Sequence, residues 1–292
     1  MRYGMHPQQT AAEAAPVHPG RPPLKVLGGV PSYINWLDAL NAWQLVREAA
    51  AVLGVPAATS FKHVSPAGAA LAGPVDEAVA RLHGVDPATV GPLTSAYLRA
   101  RDGDPKSSYG DFAAVSHEVD AELAELLGRV VCDGIVAPGY APGVADALSR
   151  KKNGTFLVME ADPDFTAPAA ESREVFGLRL SQERDPVPLS DEVIADVVTG
   201  EVPAASRRDL LLGLVVLRRT RSNAVCFLKD GMALGFVSDG SLPFRDNVDH
   251  ARRHLVTCIA EPGGSIRSDE VEAACRAHGI ALARTGLRLF HH

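Results

Sequence analysis

Residues 60–70 read Ser-Phe-Lys-His-Val-Ser-Pro-Ala-Gly-Ala-Ala, and the rest of the chain is organised around this stretch. A helical pattern precedes it and ends at Gly54, because a glycine just past the last apolar turn stops a helix. The run Ala57–Phe61 then predicts a buried strand, with Lys62 and His63 at its end. The serine, proline and glycine that follow predict an irregular turn. Open α/β sheets bind ligands outside such strand ends, which favours chemistry at this pair.

Lys62 and His63 together suit acyl or formyl transfer to a weak amine. A neutral imidazole can accept a proton near pH 7, and a neighbouring ammonium group favours that neutral form. The ammonium group can also stabilise negative charge that develops on an oxygen. The alternative is a surface lysine beside a capping histidine, and the dipeptide alone does not exclude it.

The composition is that of an ordinary soluble protein. The 292 residues are 46% hydrophobic and 22% charged, enough for one large domain or two modest ones. The net charge of −6 and the dispersed arginine pairs argue against a nucleic-acid partner. The longest apolar run, Leu210–Leu217, is too short to span a bilayer and predicts a core helix.

Targeting and metal signals point to a cytoplasmic protein without a metal site. The N-terminus lacks the apolar segment of a signal peptide, and no Cys-x-x-Cys or His-x-Glu pairing suggests zinc. The four cysteines are far apart in apolar surroundings, so we expect reduced core thiols. They are Cys132, Cys226, Cys258 and Cys275.

Strand and helix patterns alternate along the chain, which predicts the α/β class. A polar, proline-containing segment, Asp185–Ser206, is the predicted domain boundary. The expected domains are therefore residues 1–190, which carry the Lys-His pair, and residues 191–292.

Several further segments, together with residues 60–70, resemble the AICAR transformylase family, the formyltransferase half of the bifunctional purine enzyme with IMP cyclohydrolase. Residues 2–9 are similar to the family's Arg-Tyr-Gly-Met-Asn-Pro-His-Gln opening, and residues 107–112 to its Ser-Ser-Phe-Gly-Asp-Phe segment. Residues 133–140, 222–231 and 287–292 match family motifs in the same order. The resemblance implies two tandem cytidine-deaminase-like three-layer α/β/α domains without zinc, the second one shortened. It also implies a homodimer with active sites between the subunits.

The resemblance implies a nucleotide site. Arg2, Tyr3 and Arg288 would hold the phosphate, while Gly110 and Asp133 would hold the base. The residues alone leave simpler alternatives open: a frayed N-terminus, a tight turn at Gly110, and helix capping by Asp133. An aspartate in an apolar strand needs a partner, since burying an unpaired charge is costly.

The family pattern also assigns the chemistry. His63 would be the general base, Lys62 would stabilise the oxyanion, and Asn223 would orient the formyl group, although a structural hydrogen bond is the alternative for Asn223. The implied co-substrate is 10-formyltetrahydrofolate, with no metal. The residues expected at the folate pocket are Ser108, Tyr109, Pro243, Phe244, Asp246 and Asn247.

The chain departs from the family after Phe236, where a Gly-Gln-Gln-Ser-Arg loop and a long helical segment are missing. The cyclohydrolase domain is also expected to be absent, because the chain begins at the Arg-Tyr-Gly-Met motif. The leading hypothesis is formyl transfer to the amine of AICAR or an analogue. One alternative is formylation or cyclisation of a different amine or amide, and another is a non-catalytic ligand-binding relative.

Overall fold

The computed structural model describes residues 1–17, 20–233, 236–238, 240, 242 and 244–291. Strands and helices alternate in this part of the chain, which confirms the α/β class. The strands are β1 (Leu24–Gly28), β2 (Ala57–Lys62), β3 (Ser65–Leu71), β4 (Asp111–Val115), β5 (Cys132–Ala137), β6 (Leu157–Ala161), β7 (Ala170–Val175), β8 (Leu178–Glu183), β9 (Asp196–Thr199), β10 (Val225–Cys226), β11 (Phe236–Ser238), β12 (Cys258–Glu261) and β13 (Ala281–Arg284). The helices are α1 (Tyr33–Leu53), α2 (Glu77–His83), α3 (Pro92–Asp102), α4 (Ala121–Arg129), α5 (Val144–Ser149), the single turn α6 (Lys151–Gly154), α7 (Ala204–Leu217), α8 (Arg245–Arg253) and α9 (Ser268–His278).

The first sheet has six strands in the order β1-β6-β5-β4-β2-β3. Strands β4, β5 and β6 are parallel, whereas β1 and β2 run antiparallel to their neighbours in this group. Helix α1 ends at Gly54, which has a left-handed φ of 69°, and β2 follows, as the sequence predicts. Helices α2 to α5 cover the outer face of this sheet.

The predicted irregular turn at residues 65–68 is wrong, because these residues begin strand β3. Lys62 pairs with Ser65, so the turn consists only of His63 and Val64. A register shift between Ser60 and Phe61 accommodates the proline within the hairpin. Proline and glycine therefore mark an irregular strand here rather than the end of one.

The second sheet has five strands in the order β10-β11-β12-β13-β9. Strands β11, β12 and β13 are parallel, and the two outer strands are antiparallel to them. Helices α8 and α9 cover one face through Val248, Ala251, Val271 and Cys275.

Helices α1 and α7 fill the space between the two sheets. Leu45 of α1 and Leu214 of α7 belong to one buried cluster with Met159 of the first sheet and Ala260 of the second. Burial on several sides explains why Leu210–Leu217 is apolar without interruption, and it confirms the predicted core helix. The layers are therefore helix, sheet, helix, sheet and helix.

All four cysteines are buried and free, as predicted. Among the helices of the described ranges, none combines the length and apolarity that crossing a membrane requires.

Gly68 provides a test of how the Lys-His hairpin packs on α3. A Cβ added at Gly68 would lie 1.9 Å from the carbonyl oxygen of Ala100, whereas one added at Gly128 meets no atom within 4 Å. We expect Gly68→Ala to lower the free energy of unfolding by about 1–3 kcal/mol, because α3 must move. Gly128→Ala, within α4, should raise the free energy of unfolding by up to about 1 kcal/mol. Urea denaturation measures both; equal stability of Gly68→Ala and the wild type would contradict the close packing.

Candidate active site

The Lys-His pair lies at the edge of the first sheet where β4, β5 and β6 begin. This placement follows from the antiparallel pairing of β2 with β4, in which Phe61 is opposite Phe112. The rule for open α/β sheets predicts the carboxyl edge of the parallel strands, so that part of the expectation is wrong. The same edge holds the end of β1 and the start of β3.

Lys62 is joined to the segment that precedes β4. Its half-buried side chain donates from Nζ to the carbonyl oxygen of Tyr109 over 2.6 Å. The Tyr109 side chain itself is 64% exposed. Gly110 has a left-handed φ of 74°, donates its N–H to the Val131 carbonyl, and has open space where a Cβ would lie. The structure thus brings together Lys62, Tyr109 and Gly110, three of the predicted site residues.

His63 is exposed and sits in a strained turn that Asp38 supports. His63 and Val64 have φ values of 55° and 62°, a conformation unfavourable for residues with a Cβ and especially for a β-branched one. The Val64 N–H donates to Asp38 Oδ1 over 2.7 Å, and Asp38 is 6% exposed. The buried carboxylate therefore holds the turn that presents His63.

Asp38 is electrostatically linked to two predicted site residues. Burial raises the pKa of Asp38 from 3.8 to about 6, while the Val64 N–H and the charge of His63 lower this pKa and the charge of Asp133 raises it. Asp38 is not among the predicted site residues. The available signal was a carboxylate on the buried face of α1, which it shares with Ala42, Leu45 and Ala49.

Arg101 organises the loop between α3 and β4. Its guanidinium donates to Asp111 Oδ1 and to the Ser108 carbonyl, both over 2.8 Å, and to the Val131 carbonyl over 3.1 Å. Ser108 is fully buried, and its hydroxyl has no partner among the described residues. Its expected contact with folate is untested, and in this structure its carbonyl supports the loop.

Asp133 lies within β5 with its side chain 54% exposed, and it forms an ion pair of 2.6 Å with Lys152. Helix capping does not occur at this position, because the N-cap of the preceding helix α4 is Asp120. Lys152 and Asn153 are both left-handed, with φ values of 52° and 56°. Lys152 is not among the predicted site residues.

Arg2 and Tyr3 are tied to the beginning of α1. The Arg2 N–H donates to the Pro31 carbonyl and the Tyr33 N–H to the Tyr3 carbonyl, so this segment is not frayed. The guanidinium of Arg2 donates to the Tyr3 hydroxyl over 2.7 Å. The first turn of α1 carries no acidic side chain. Two anion-binding side chains next to a helix N-terminus are a suitable environment for a phosphate.

The remaining predicted residues gather at the carboxyl edge of the second sheet. Antiparallel pairing of β10 with β11 places Asn223 there, and Arg288 follows β13. Both side chains are exposed and have no hydrogen-bond partner within the described ranges. Phe244, Asp246 and Asn247 lie at the start of α8, and Arg267 stacks 5.2 Å from the centre of the Phe244 ring. Pro243 lies outside the described residues.

The predicted site residues thus form two clusters. The first contains Arg2, Tyr3, Lys62, His63, Gly110 and Asp133, and the second contains Asn223, Phe244, Asp246, Asn247 and Arg288. The two clusters are connected to different ends of α1. The first cluster lies near Asp38, towards the N-terminal end of α1. The second lies towards the C-terminal end, where Arg218 pairs with Glu48 of α1 and the His291 N–H donates to the Thr220 carbonyl. Asp38 and Glu48 are separated by about 15 Å along the helix axis. The partners of Lys62, Asp38 and Asp133 are Tyr109, Val64 and Lys152, all of which lie in the first sheet or beside it. Within the part of the chain that the structure describes, no three His, Cys, Asp or Glu side chains group as metal ligands.

The buried Asp38 carboxyl gives a pH-dependent prediction. Its pKa is higher in the folded state than in the unfolded chain, so its contribution to stability is present below about pH 4 and lost as the pH rises through about 6. Between pH 4 and 7, the wild type should therefore lose about 3 kcal/mol of unfolding free energy relative to Asp38→Asn. Urea denaturation across this range measures the difference.

Asp38→Ala separates the charge from the hydrogen bond. This variant should be less stable than Asp38→Asn by about 1–3 kcal/mol, because it leaves the Val64 N–H without its acceptor. If the difference in unfolding free energy between the wild type and Asp38→Asn does not change with pH, the raised pKa of Asp38 is contradicted. If Asp38→Ala and Asp38→Asn are equally stable, the support of the turn by Asp38 is contradicted.

Comparisons with known proteins identify the family of this chain. The sequence profile of the AICARFT/IMPCHase bienzyme family matches residues 1–241. The chain is 33% identical over 333 residues to the bifunctional purine biosynthesis protein PurH of Myxococcus xanthus, covering 100% of this chain and 60% of the relative. It is 30% identical over 336 residues to the protein of the same name from Magnetococcus marinus, covering 100% of this chain and 59% of that relative. Both alignments are longer than the chain, as the expected internal deletion requires, and the chain spans about 60% of the length of these curated relatives. The chain belongs to the AICARFT/IMPCHase bienzyme family.

Proposed function

We propose that this protein transfers the formyl group of 10-formyltetrahydrofolate to the amine of AICAR. Family membership and the purine-biosynthesis names of the relatives support this reaction. The observation that carries it is the 2.6 Å contact of Lys62 with the Tyr109 carbonyl. That contact brings the Lys-His pair to the segment Ser108–Gly110 and to the neighbouring start of β5, which carries Asp133.

The chemistry requires a base, an oxyanion partner and an oriented carbonyl. As the AICAR nitrogen attacks the formyl carbon, His63 accepts the proton that this nitrogen loses. Lys62 stabilises the oxyanion of the tetrahedral intermediate, and Asn223 orients the formyl group. Collapse of the intermediate breaks the bond from the formyl carbon to N10 of the folate, which receives the proton from His63. The products are formylated AICAR and tetrahydrofolate.

Substrate binding is divided between the two clusters. Arg2 and Tyr3 beside the α1 N-terminus, together with Arg288, hold the nucleotide phosphate. Gly110 and Asp133 hold the base. The residues assigned to the folate pocket are Ser108, Tyr109, Pro243, Phe244, Asp246 and Asn247. No metal takes part in this proposal.

A cytoplasmic homodimer completes the proposed site. The separation of the two clusters along α1 supports a site in which one copy provides Lys62 and His63 and the other provides Asn223. We assign residues 1–190 and 191–292 to two tandem cytidine-deaminase-like units, the second one shortened. Each sheet, with the helices on its faces, is compatible with such a three-layer unit.

The first test is tetrahydrofolate release from AICAR and 10-formyltetrahydrofolate. The wild type should turn over, and His63→Ala should lower kcat by about 100-fold or more, because the base is lost. His117 is a matched control, since it is also exposed and follows β4 at the opposite edge of the same sheet. His117→Ala should retain wild-type turnover.

Two outcomes would contradict the proposed reaction. The first is the absence of turnover by folded wild-type protein. The second is wild-type turnover by His63→Ala.

Subunit complementation tests the shared site. An equal mixture of His63→Ala and Asn223→Ala chains, refolded together, forms mixed dimers with one intact site each. It should recover about a quarter of wild-type activity after random pairing. A mixture of His63→Ala with Lys62→Ala should stay inactive, because both changes affect the same cluster. An inactive first mixture that nevertheless forms mixed dimers would show that each site lies within one chain.

A further inference from the structure

The hairpin formed by β7 and β8 stands apart from both sheets. Its strands pair with each other and, among the described residues, with no other strand. Nearly every residue in the two strands is exposed. An isolated two-stranded hairpin is marginally stable in water, so this one needs another surface to pack against.

The two faces of the hairpin differ in chemistry. The cross-strand register pairs Val175 with Leu178 and Arg173 with Leu180, which places Val175, Leu178 and Leu180 on one face. These three apolar side chains are 48%, 67% and 58% exposed. The opposite face carries the ion pair of Glu174 with Arg179 at 2.6 Å. Near the turn this is the alternation of a strand pair that buries one face, whereas Glu171 and Gln182 continue the same face at its base and bond to each other.

Phe176 extends the apolar face at the tip. Phe176 and Gly177 form the two-residue turn, with φ values of 46° and 84°. A two-residue turn of this kind favours Asn-Gly, and a left-handed aromatic residue costs about 1–2 kcal/mol. The ring is fully exposed, so no packing within the chain offsets this cost. A strained, exposed aromatic residue at the end of an apolar face is typical of an interface anchor.

We propose that this hairpin is an arm that packs its apolar face, with Phe176 as the anchor, against a second copy of this chain. This proposal depends on the homodimer of the proposed function and identifies one segment of its interface. Four neighbouring exposed apolar side chains are the kind of surface that marks interaction sites. The patch is smaller than the roughly 800 Å² per partner of a stable interface, so the dimer also uses surface beside the arm.

Charge favours a second copy over other occupants. Residues 171–184 contain three acidic side chains (Glu171, Glu174, Glu183) and three basic ones (Arg173, Arg179, Arg184). A neutral segment with interspersed signs has no preference for a polyanion or an anionic membrane surface. A copy related by two-fold symmetry can instead place arginines opposite glutamates.

The position of the arm connects it to the incomplete site. Arg218 forms an ion pair of 3.0 Å with Asp185 at the base of the hairpin and also contacts Glu48. The same corner holds Thr220, whose carbonyl accepts the His291 N–H, and therefore the chain segments of Asn223 and Arg288. A second copy bound by the arm therefore lies next to the cluster that contains Asn223 and Arg288 but not Lys62 and His63.

The test compares oligomeric state in the full chain. Phe176→Ser/Leu178→Ser removes the anchor and part of the apolar face, and Ser172→Asn/Ser181→Asn changes the polar face as a matched control. Sedimentation over a wide concentration range should give a dimer Kd raised at least about tenfold for the first variant and unchanged for the control. Thermal unfolding should show both variants folded, because the hairpin contributes nothing to the described core clusters.

Amide hydrogen exchange gives a second readout on the wild type. The amides of residues 170–183 that bond across the hairpin should exchange more slowly in the dimer than after dilution to monomer, because packing of the apolar face suppresses opening of the hairpin. A wild type that stays monomeric throughout, an unchanged Kd in the Phe176/Leu178 variant, or exchange that is independent of dimerisation would each overturn the proposal.

The formyl-transfer assay on the same samples separates the two proposals. If the wild type lacks turnover but the variant dissociates, the arm is right and the proposed reaction is wrong. If the wild type turns over while the variant remains as dimeric as the wild type, the reaction is right and the arm is wrong.

Discussion

A buried ion pair between Arg101 and Asp111 holds the edge of the first sheet on which the candidate site is built. Asp111 is fully buried at the first position of β4, and Arg101 is 8% exposed. Burial raises the pKa of Asp111 even though Arg101 and the Tyr97 hydroxyl lower it, so the carboxylate depends on these partners for its charge. Removing one member of such a pair costs about 3–5 kcal/mol, because the other charge is left buried and unpaired.

Arg101 also fixes the backbone of the segments next to this ion pair. The remaining donors of Arg101 fix the Ser108 and Val131 carbonyls, and the fixed loop presents the Tyr109 carbonyl to Lys62. Asp38 then holds the turn that follows Lys62. The anchors are buried, whereas His63 and Asp133 are exposed. The site therefore combines a buried, hydrogen-bonded support with side chains that a ligand can reach.

The shared helix layer explains why one chain does not bring all predicted site residues together. Because α1 and α7 are buried between the sheets, the distance between the two clusters depends on how these helices cross, and the core fixes that crossing. A rearrangement within the chain would have to break this core. Association of two copies meets the same need without disturbing it, which is the physical basis for proposing a site shared between subunits.

Local sequence patterns predicted most of the helices and strands, because helical and strand periodicities depend on neighbouring residues. They also predicted Lys62 and His63 at the end of a strand, and the cysteines and the helix at Leu210–Leu217 in the core, whereas Gly110 and Asp133 entered the candidate site only through the family resemblance. The patterns failed where pairing between distant segments decides the outcome. Residues 65–68 form a strand because β2 supplies the partner, and the site lies at the opposite edge of the parallel strands because β2 runs antiparallel to β4. Asp38 and Lys152 acquire their roles only through residues 26 and 19 positions away. The sequence alone thus determined most of the elements and the position of Lys62 and His63 at the end of a strand, whereas the tertiary structure decided the edge, the supporting carboxylate and the separation of the two clusters, since these depend on contacts that no local pattern encodes.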